Sequence, residues 1–177
     1  RAMSTVLRAR TAFAALLADA NSVLAVAEVD GVLVGYVLVR RFGLGTDSKR
    51  ETLESIGERS GITRERVRQI EAAGLEALRS SKRFKEEQGS FEEIARHIES
   101  LGSIVSEDEL LAVLAKDEKG RNRFRFLLVA GAVFIRERET DDFLARWHID
   151  AATAKTIHEA LNKLYRSLDD DEVIPEG

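Results

Sequence analysis

The chain has 177 residues, 44% of them hydrophobic and 33% charged, and contains no cysteine. That length suits one domain or two small ones, the composition suits a globular core, and the missing thiols exclude disulfides and thiolate metal sites. The formal net charge of −4 hides a segregation: residues 1–47 carry five basic and four acidic groups, residues 48–85 ten and six, and residues 86–177 twelve and twenty-one. A basic stretch inside an acidic chain points to nucleic acid more sharply than the overall charge does.

Residues 1–42 form the first segment. The run TVLRARTAFAALLADA predicts a helix with Val6, Phe13, Leu16 and Leu17 on its apolar stripe. Valine-rich runs then flank Asp30-Gly31, which predicts a β-hairpin. The apolar stretch from Val23 to Val39 is interrupted by Glu28, Asp30 and Gly31, so it falls short of the roughly 18 residues of a membrane span. The opening RAMSTVLRAR lacks the pattern of a signal peptide, and a cytoplasmic protein with no membrane association is the expectation. The strand pair, Val26–Gly31 and Val34–Val39, resembles part of a GCN5-related acetyltransferase over about thirty residues. The Gly-rich turn that would hold acetyl-coenzyme A in that family does not follow Val39, so the activity is not carried over.

Residues 43–85 form the second segment. Thr52 predicts an N-cap for a helix over LESIGERS, with Leu53 and Ile56 facing inward, and Gly61 ends it in the left-handed region. Thr63 predicts a second N-cap, followed by a longer helix from Arg64 to about Ser80 with Val67, Ile70, Ala73, Gly74, Leu75 and Leu78 on its apolar side. A helix, a tight glycine-containing turn and a longer amphipathic helix make a helix-turn-helix. On the second helix Arg64, Glu65, Arg68 and Gln69 lie off the apolar face near the N-terminal end, the end that such a motif places in the major groove. Arginine suits guanine, glutamine suits adenine and a carboxylate accepts from cytosine, so the mixture fits base reading better than a lysine-rich helix would. The alternative reading from spacing alone is an exposed helix laced with Glu–Arg pairs.

The string from Arg40 to Arg79, with its core TLESIGERSGITRERVRQIEAAGLEALR, resembles region 4 of sigma-70 family transcription initiation factors. The resemblance implies a unit that binds the promoter minus-35 element and the flap of the RNA polymerase β subunit. It implies base-reading or groove-facing roles for Arg64, Glu65, Arg68 and Gln69, and a phosphate-holding role for Arg66 and for the amide end of the helix starting at Leu53. Thr52, Thr63 and Arg79 complete the DNA-binding set. Ala73, Glu76 and Ala77 stand where the family usually has basic residues, and no trace of the region that melts the minus-10 element is found. The preceding segment also departs from the family's helical lead-in, apart from a final turn at VLVRRFGL.

Residues 88–177 form the third segment. A helix over FEEIARHIESL is expected, capped by Ser90 and ended by Gly102. Ser106 and Glu109 make a capping box for a second helix, and RNRFRFLLVAG predicts a third. AVFIRERE and FLARWHI are β-prone runs about a turn, DAATAKTIHEALNKLYRSL is a last amphipathic helix, and DDDEVIPEG is an acidic tail. Three helices followed by a two-stranded wing vaguely resemble the HARE-type winged helix of the δ subunit of bacterial RNA polymerase. Nine excess acidic charges over residues 86–177 favour a protein-facing module over a second DNA site. His97, His148 and His158 read as surface or boundary residues and Trp147 as wing core. Arg121, Arg123 and Arg125 are further candidates for phosphate, while Arg136 and Arg138 adjoin glutamates.

The expectation is a mostly α protein with small β-hairpins, built from a helix-turn-helix and a winged-helix-like unit. It binds double-stranded DNA at a promoter-like element in transcription initiation or its regulation, contacts RNA polymerase, needs no cofactor or metal and is not an enzyme. The alternatives are a polymerase-binding protein that touches no DNA, and a degenerate acetyltransferase fragment.

Overall fold

The computed structural model describes residues 31–86 and 88–167. The helix expected before Asn21, the first strand of the expected hairpin and the acidic tail lie outside the described residues. Where the hairpin's second strand was expected there is a helix, α1 (Gly31–Phe42). The reason is the spacing of its large side chains. Val34, Val37, Leu38 and Phe42 recur at i, i+3, i+4 and i+8, and all four are buried. Packing of that stripe outweighs the β preference of the individual valines, which is weak and dependent on context. The acetyltransferase likeness loses its basis here, because Val34–Val39 is not a strand.

Two helices follow as expected, α2 (Leu53–Ser60) and α3 (Arg64–Ser80). α1 packs against α3 at a glycine. A β-carbon at Gly74 would lie 2.7 Å from Val34 Cγ1 and 2.9 Å from Leu38 Cδ1, so the two backbones approach more closely than any side chain there would permit.

The rest of the described chain runs α4 (Lys82–Glu86), α5 (Gln88–Ser100), β1 (Ile104–Ser106), α6 (Glu107–Leu114), α7 (Glu118–Ala130), β2 (Ile135–Glu137), β3 (Arg146–His148) and α8 (Ala151–Ser167). α5 begins at Gln88, so Ser90 lies inside the helix and is not its cap. Ser106 caps α6 as expected: the Glu109 amide donates to Ser106 Oγ at 3.2 Å, and that hydroxyl donates to the Glu109 carboxylate at 2.7 Å. The sheet has three antiparallel strands in the order β1-β3-β2, with Ile104 and Ile135 on either side of His148. β1 went unforeseen, since its three residues run directly into a helix cap.

α7 is the central helix. Phe124, Phe126, Leu127, Leu128 and Ala130 on it are buried, and it packs on α6, α1 and α3. Phe126 meets Phe42 of α1 edge-on at 5.1 Å between ring centroids. Below the sheet, Glu107 is buried yet fully matched. It accepts from Arg125 Nε at 2.9 Å, from Trp147 Nε1 at 3.1 Å and from Arg136. Arg136 thus pairs across the fold and not with the glutamates beside it in sequence. Trp147 of β3 is buried, and His148, read as a surface or boundary residue, is 2% exposed.

Candidate nucleic-acid interface

The geometry of the interface begins with three backbone-determining residues. Thr52 Oγ1 accepts from the Ser55 amide at 3.1 Å and starts α2. Gly61 ends α2 at φ +66°, and its amide returns to Glu58 and Gly57. Thr63 Oγ1 accepts from the Arg66 amide at 3.2 Å and starts α3. The turn between the helices is tight enough that a β-carbon at Gly57 would lie 2.7 Å from the Ile62 carbonyl. Thr52 and Thr63 therefore act first as caps, and Leu53 is half-buried against the core.

One face of α3 is fixed inward by Val67, Ile70, Gly74, Leu75 and Leu78, all buried. Ala73, expected on that face, is exposed. The inward set leaves Arg64, Glu65, Arg66, Arg68 and Gln69 exposed over the first two turns. They lie together, and four of them are joined by hydrogen bonds. Arg68 donates through Nε and Nη2 to both oxygens of Glu65 at 2.8 and 2.7 Å. Gln69 reaches Glu65 at 3.5 Å, and Arg66 reaches Gln69 at 3.5 Å. The hydrogen bonds from Arg68 hold the Glu65 carboxyl below its ordinary range, and Glu65 in turn raises the Arg68 guanidinium. Arg64 crosses the turn to Glu54 of α2 at 2.8 Å. Sequence reading did not foresee Glu54 as a member of the group, although a carboxylate in the first turn of α2 facing an arginine in the first turn of α3 is readable once the turn is placed.

These pairs are well exposed, with side chains 53–68% accessible. Exposed pairs are worth about 0–1 kcal/mol, so each is easily exchanged for a base edge or a phosphate. The geometry preorients two forward arginines and one glutamine without committing them.

Arg79 stands apart from this group. Its Nε and Nη2 donate to the carbonyls of Ala130 and Val129 at 2.9 and 3.0 Å, at the end of α7. A guanidinium at a helix C-terminus satisfies the last carbonyls and complements the helix dipole. The structure places Arg79 as a joint between α3 and α7. Of the phosphate candidates on α7, Arg125 is bound to Glu107 and to Asn122, while Arg121 and Arg123 are half-buried.

Behind the interface, Glu51 is buried and paired with Arg40 at 3.4 Å and Arg59 at 3.3 Å. It fixes the loop that enters α2 to the end of α1. Among the described residues no helix is long and apolar enough to cross a membrane.

Residues 36–80 match the family model for sigma-70, region 4. The match takes in the second half of α1 together with α2 and α3, so it starts upstream of Arg40 and includes the helical lead-in that was expected as a strand. These residues are a DNA-binding helix-turn-helix of a transcription-related family, and that family is not an enzymatic one. No solved structure matches the chain.

Proposed function

We propose that the chain is a sequence-specific DNA-binding protein acting in transcription initiation or its regulation, which inserts the N-terminal turns of α3 into the major groove of a promoter-like, minus-35-like element. The observation that carries this is the joint placement of Arg64, Glu65, Arg68 and Gln69 on the exposed side of a helix whose opposite side is buried. The region 4 match supports extending the partners to the flap of the RNA polymerase β subunit. Residues 88–167 we read as a winged helix that faces protein. Its third helix, the one a winged helix would ordinarily offer to a groove, is α7, and α7 is occupied by α1, α3 and α6.

The test is selection from a random double-stranded pool, followed by measurement of the winning site against an unrelated sequence at two salt concentrations. A selected consensus with a specific-to-nonspecific ratio of at least about 10³ is expected. Recovery of no consensus, with binding to the polymerase flap retained, would favour the reading in which the protein touches no DNA.

A further inference from the structure

α8 is 17 residues long, and Ala154 near its start is its buried residue. From Glu159 to Ser167 every residue is exposed, with Leu161 at 45%, Leu164 at 48% and Tyr165 at 78%. Ala154, Ile157, Leu161 and Leu164 follow the alternating three-and-four spacing of a helix-pairing seam. The first two meet the body of the protein and the last two do not. A helix of this length is marginal in water unless an apolar face is packed, and the second half of α8 lacks that packing.

The surroundings of the stripe carry both signs of charge. Asp141, Asp142 and Phe143 of the β2–β3 connection close a concavity with Leu161, Leu164 and Tyr165. Lys163 and Arg166 stand on the same end of α8, lining the adjoining hollow with Glu159. Asp141, Asp142, Lys163 and Arg166 are all exposed. A basic partner would explain the two aspartates, and an acidic one would explain Lys163 and Arg166. A second copy of the same arrangement answers both at once.

We propose that the C-terminal half of α8 is a homodimerisation surface, pairing about a two-fold axis with the same face of a second copy of the chain. An isologous contact needs one patch that is complementary to itself. Here the Leu164–Tyr165 ridge of each copy enters the Phe143–Leu161 hollow of the other, and Lys163 and Arg166 of each copy meet Asp141 and Asp142 of the other. On the DNA-reading proposal above, the consequence is two α3 helices in one particle and therefore a site made of two half-sites.

The test is sedimentation equilibrium on the full chain without DNA, so that its outcome is independent of DNA reading. A reversible dimer is expected, and Leu161→Asp should give a monomer with unchanged far-UV circular dichroism. The double reversal Asp141→Lys with Asp142→Lys should weaken dimerisation about tenfold. Adding Lys163→Glu with Arg166→Glu to the same chain should restore it, a rescue that requires the partner to be a second copy. All four charged positions are exposed, so loss of folding does not confound this arm. A wild-type chain that stays monomeric at every concentration, or a dimer indifferent to Leu161→Asp and to both reversals, would overturn the proposal.

Discussion

Glu65 holds Arg68 through two hydrogen bonds on the open face of α3, and the two residues should fail differently when replaced. Arg68→Ala should cost about 1–3 kcal/mol on the preferred sequence and relax preference at one base pair, if the guanidinium reads a base edge. An equal loss on every sequence, in a binding assay run against single-base variants, would show a phosphate contact instead. Glu65→Ala removes the carboxylate that orients Arg68 and repels phosphate. Nonspecific affinity should therefore rise while the specificity ratio falls, and a fall in nonspecific affinity would show that Glu65 chiefly holds Arg68 toward the phosphates. Glu107 poses a different problem, because it is buried. Burial pushes its carboxyl up, but the hydrogen bonds from Arg136 and Arg125 outweigh this and hold it below the ordinary range. A carboxyl depressed in the folded state stabilises above its unfolded value of about 4.3, and that stabilisation disappears as pH falls through the folded value. Glu107→Gln should cost about 3 kcal/mol near neutrality, at the low end for a broken buried pair because the Arg136 side chain is 34% exposed. The difference from wild type in urea unfolding should shrink below about pH 4. A cost that stays constant down to acid pH would show that the packing of Glu107 matters and its charge does not.

The helix pair α2–α3 was legible because each of its boundaries is written in a residue with a local mechanism: Thr52 and Thr63 cap, Gly61 adopts positive φ, and Ile56, Val67 and Ile70 repeat at helical spacing. α1 was not legible, because Gly31, Val34, Gly35 and Val37 are poor helix formers and Asp30-Gly31 imitates a hairpin turn. What makes the segment helical is α3, which offers Gly74 as the place where Val34 and Leu38 lie down. β1 was hidden for a similar reason, since its pairing partner is β3, about forty residues later. The dependence of α1 on Gly74 can be measured. Alanine would add about 0.8–1 kcal/mol of helix propensity. Its methyl group, however, falls on Val34, whose branched side chain has little rotamer freedom, and overpacking costs about 1–3 kcal/mol. Overpacking should win, so Gly74→Ala lowers the thermal midpoint, and Val34→Ala in the same chain recovers part of the loss. Additive losses in that double mutant would place the two side chains out of contact.

Across the whole molecule, the two sequence segments drawn on either side of Glu87 are joined by contacts that no local pattern announces. Arg79 caps α7 at a separation of 50 and 51 residues, Phe126 packs on Phe42, and Asn122 reaches back over more than seventy residues. Asn122 is fully buried. Its Nδ2 donates to the Ser48 carbonyl at 2.8 Å and lies 3.4 Å from that of Gly43, and its Oδ1 accepts from Arg125 Nη1 at 2.9 Å. The loop it holds, with Gly43 and Ser48 both at positive φ, is the one that delivers the chain into α2. The residues after Glu87 are thereby joined to the helix-turn-helix, so α3 is presented by a scaffold that includes α7. Two consequences should be visible. Unfolding of the full chain should be a single cooperative transition, because one hydrophobic core cluster runs through both segments. Asn122→Leu removes the donor to the half-buried Ser48 carbonyl and to the buried Gly43 carbonyl, at about 1–3 kcal/mol, and it should lower that one transition without splitting it. It should also weaken DNA binding modestly and equally on all sequences, since the loop before α2 loosens while the side chains of α3 are untouched. Calorimetry that resolves two transitions in the wild-type chain, or an Asn122→Leu variant that melts only the part after Glu87, would show that the helix-turn-helix stands without α7 and that the contacts across the two halves are incidental to reading.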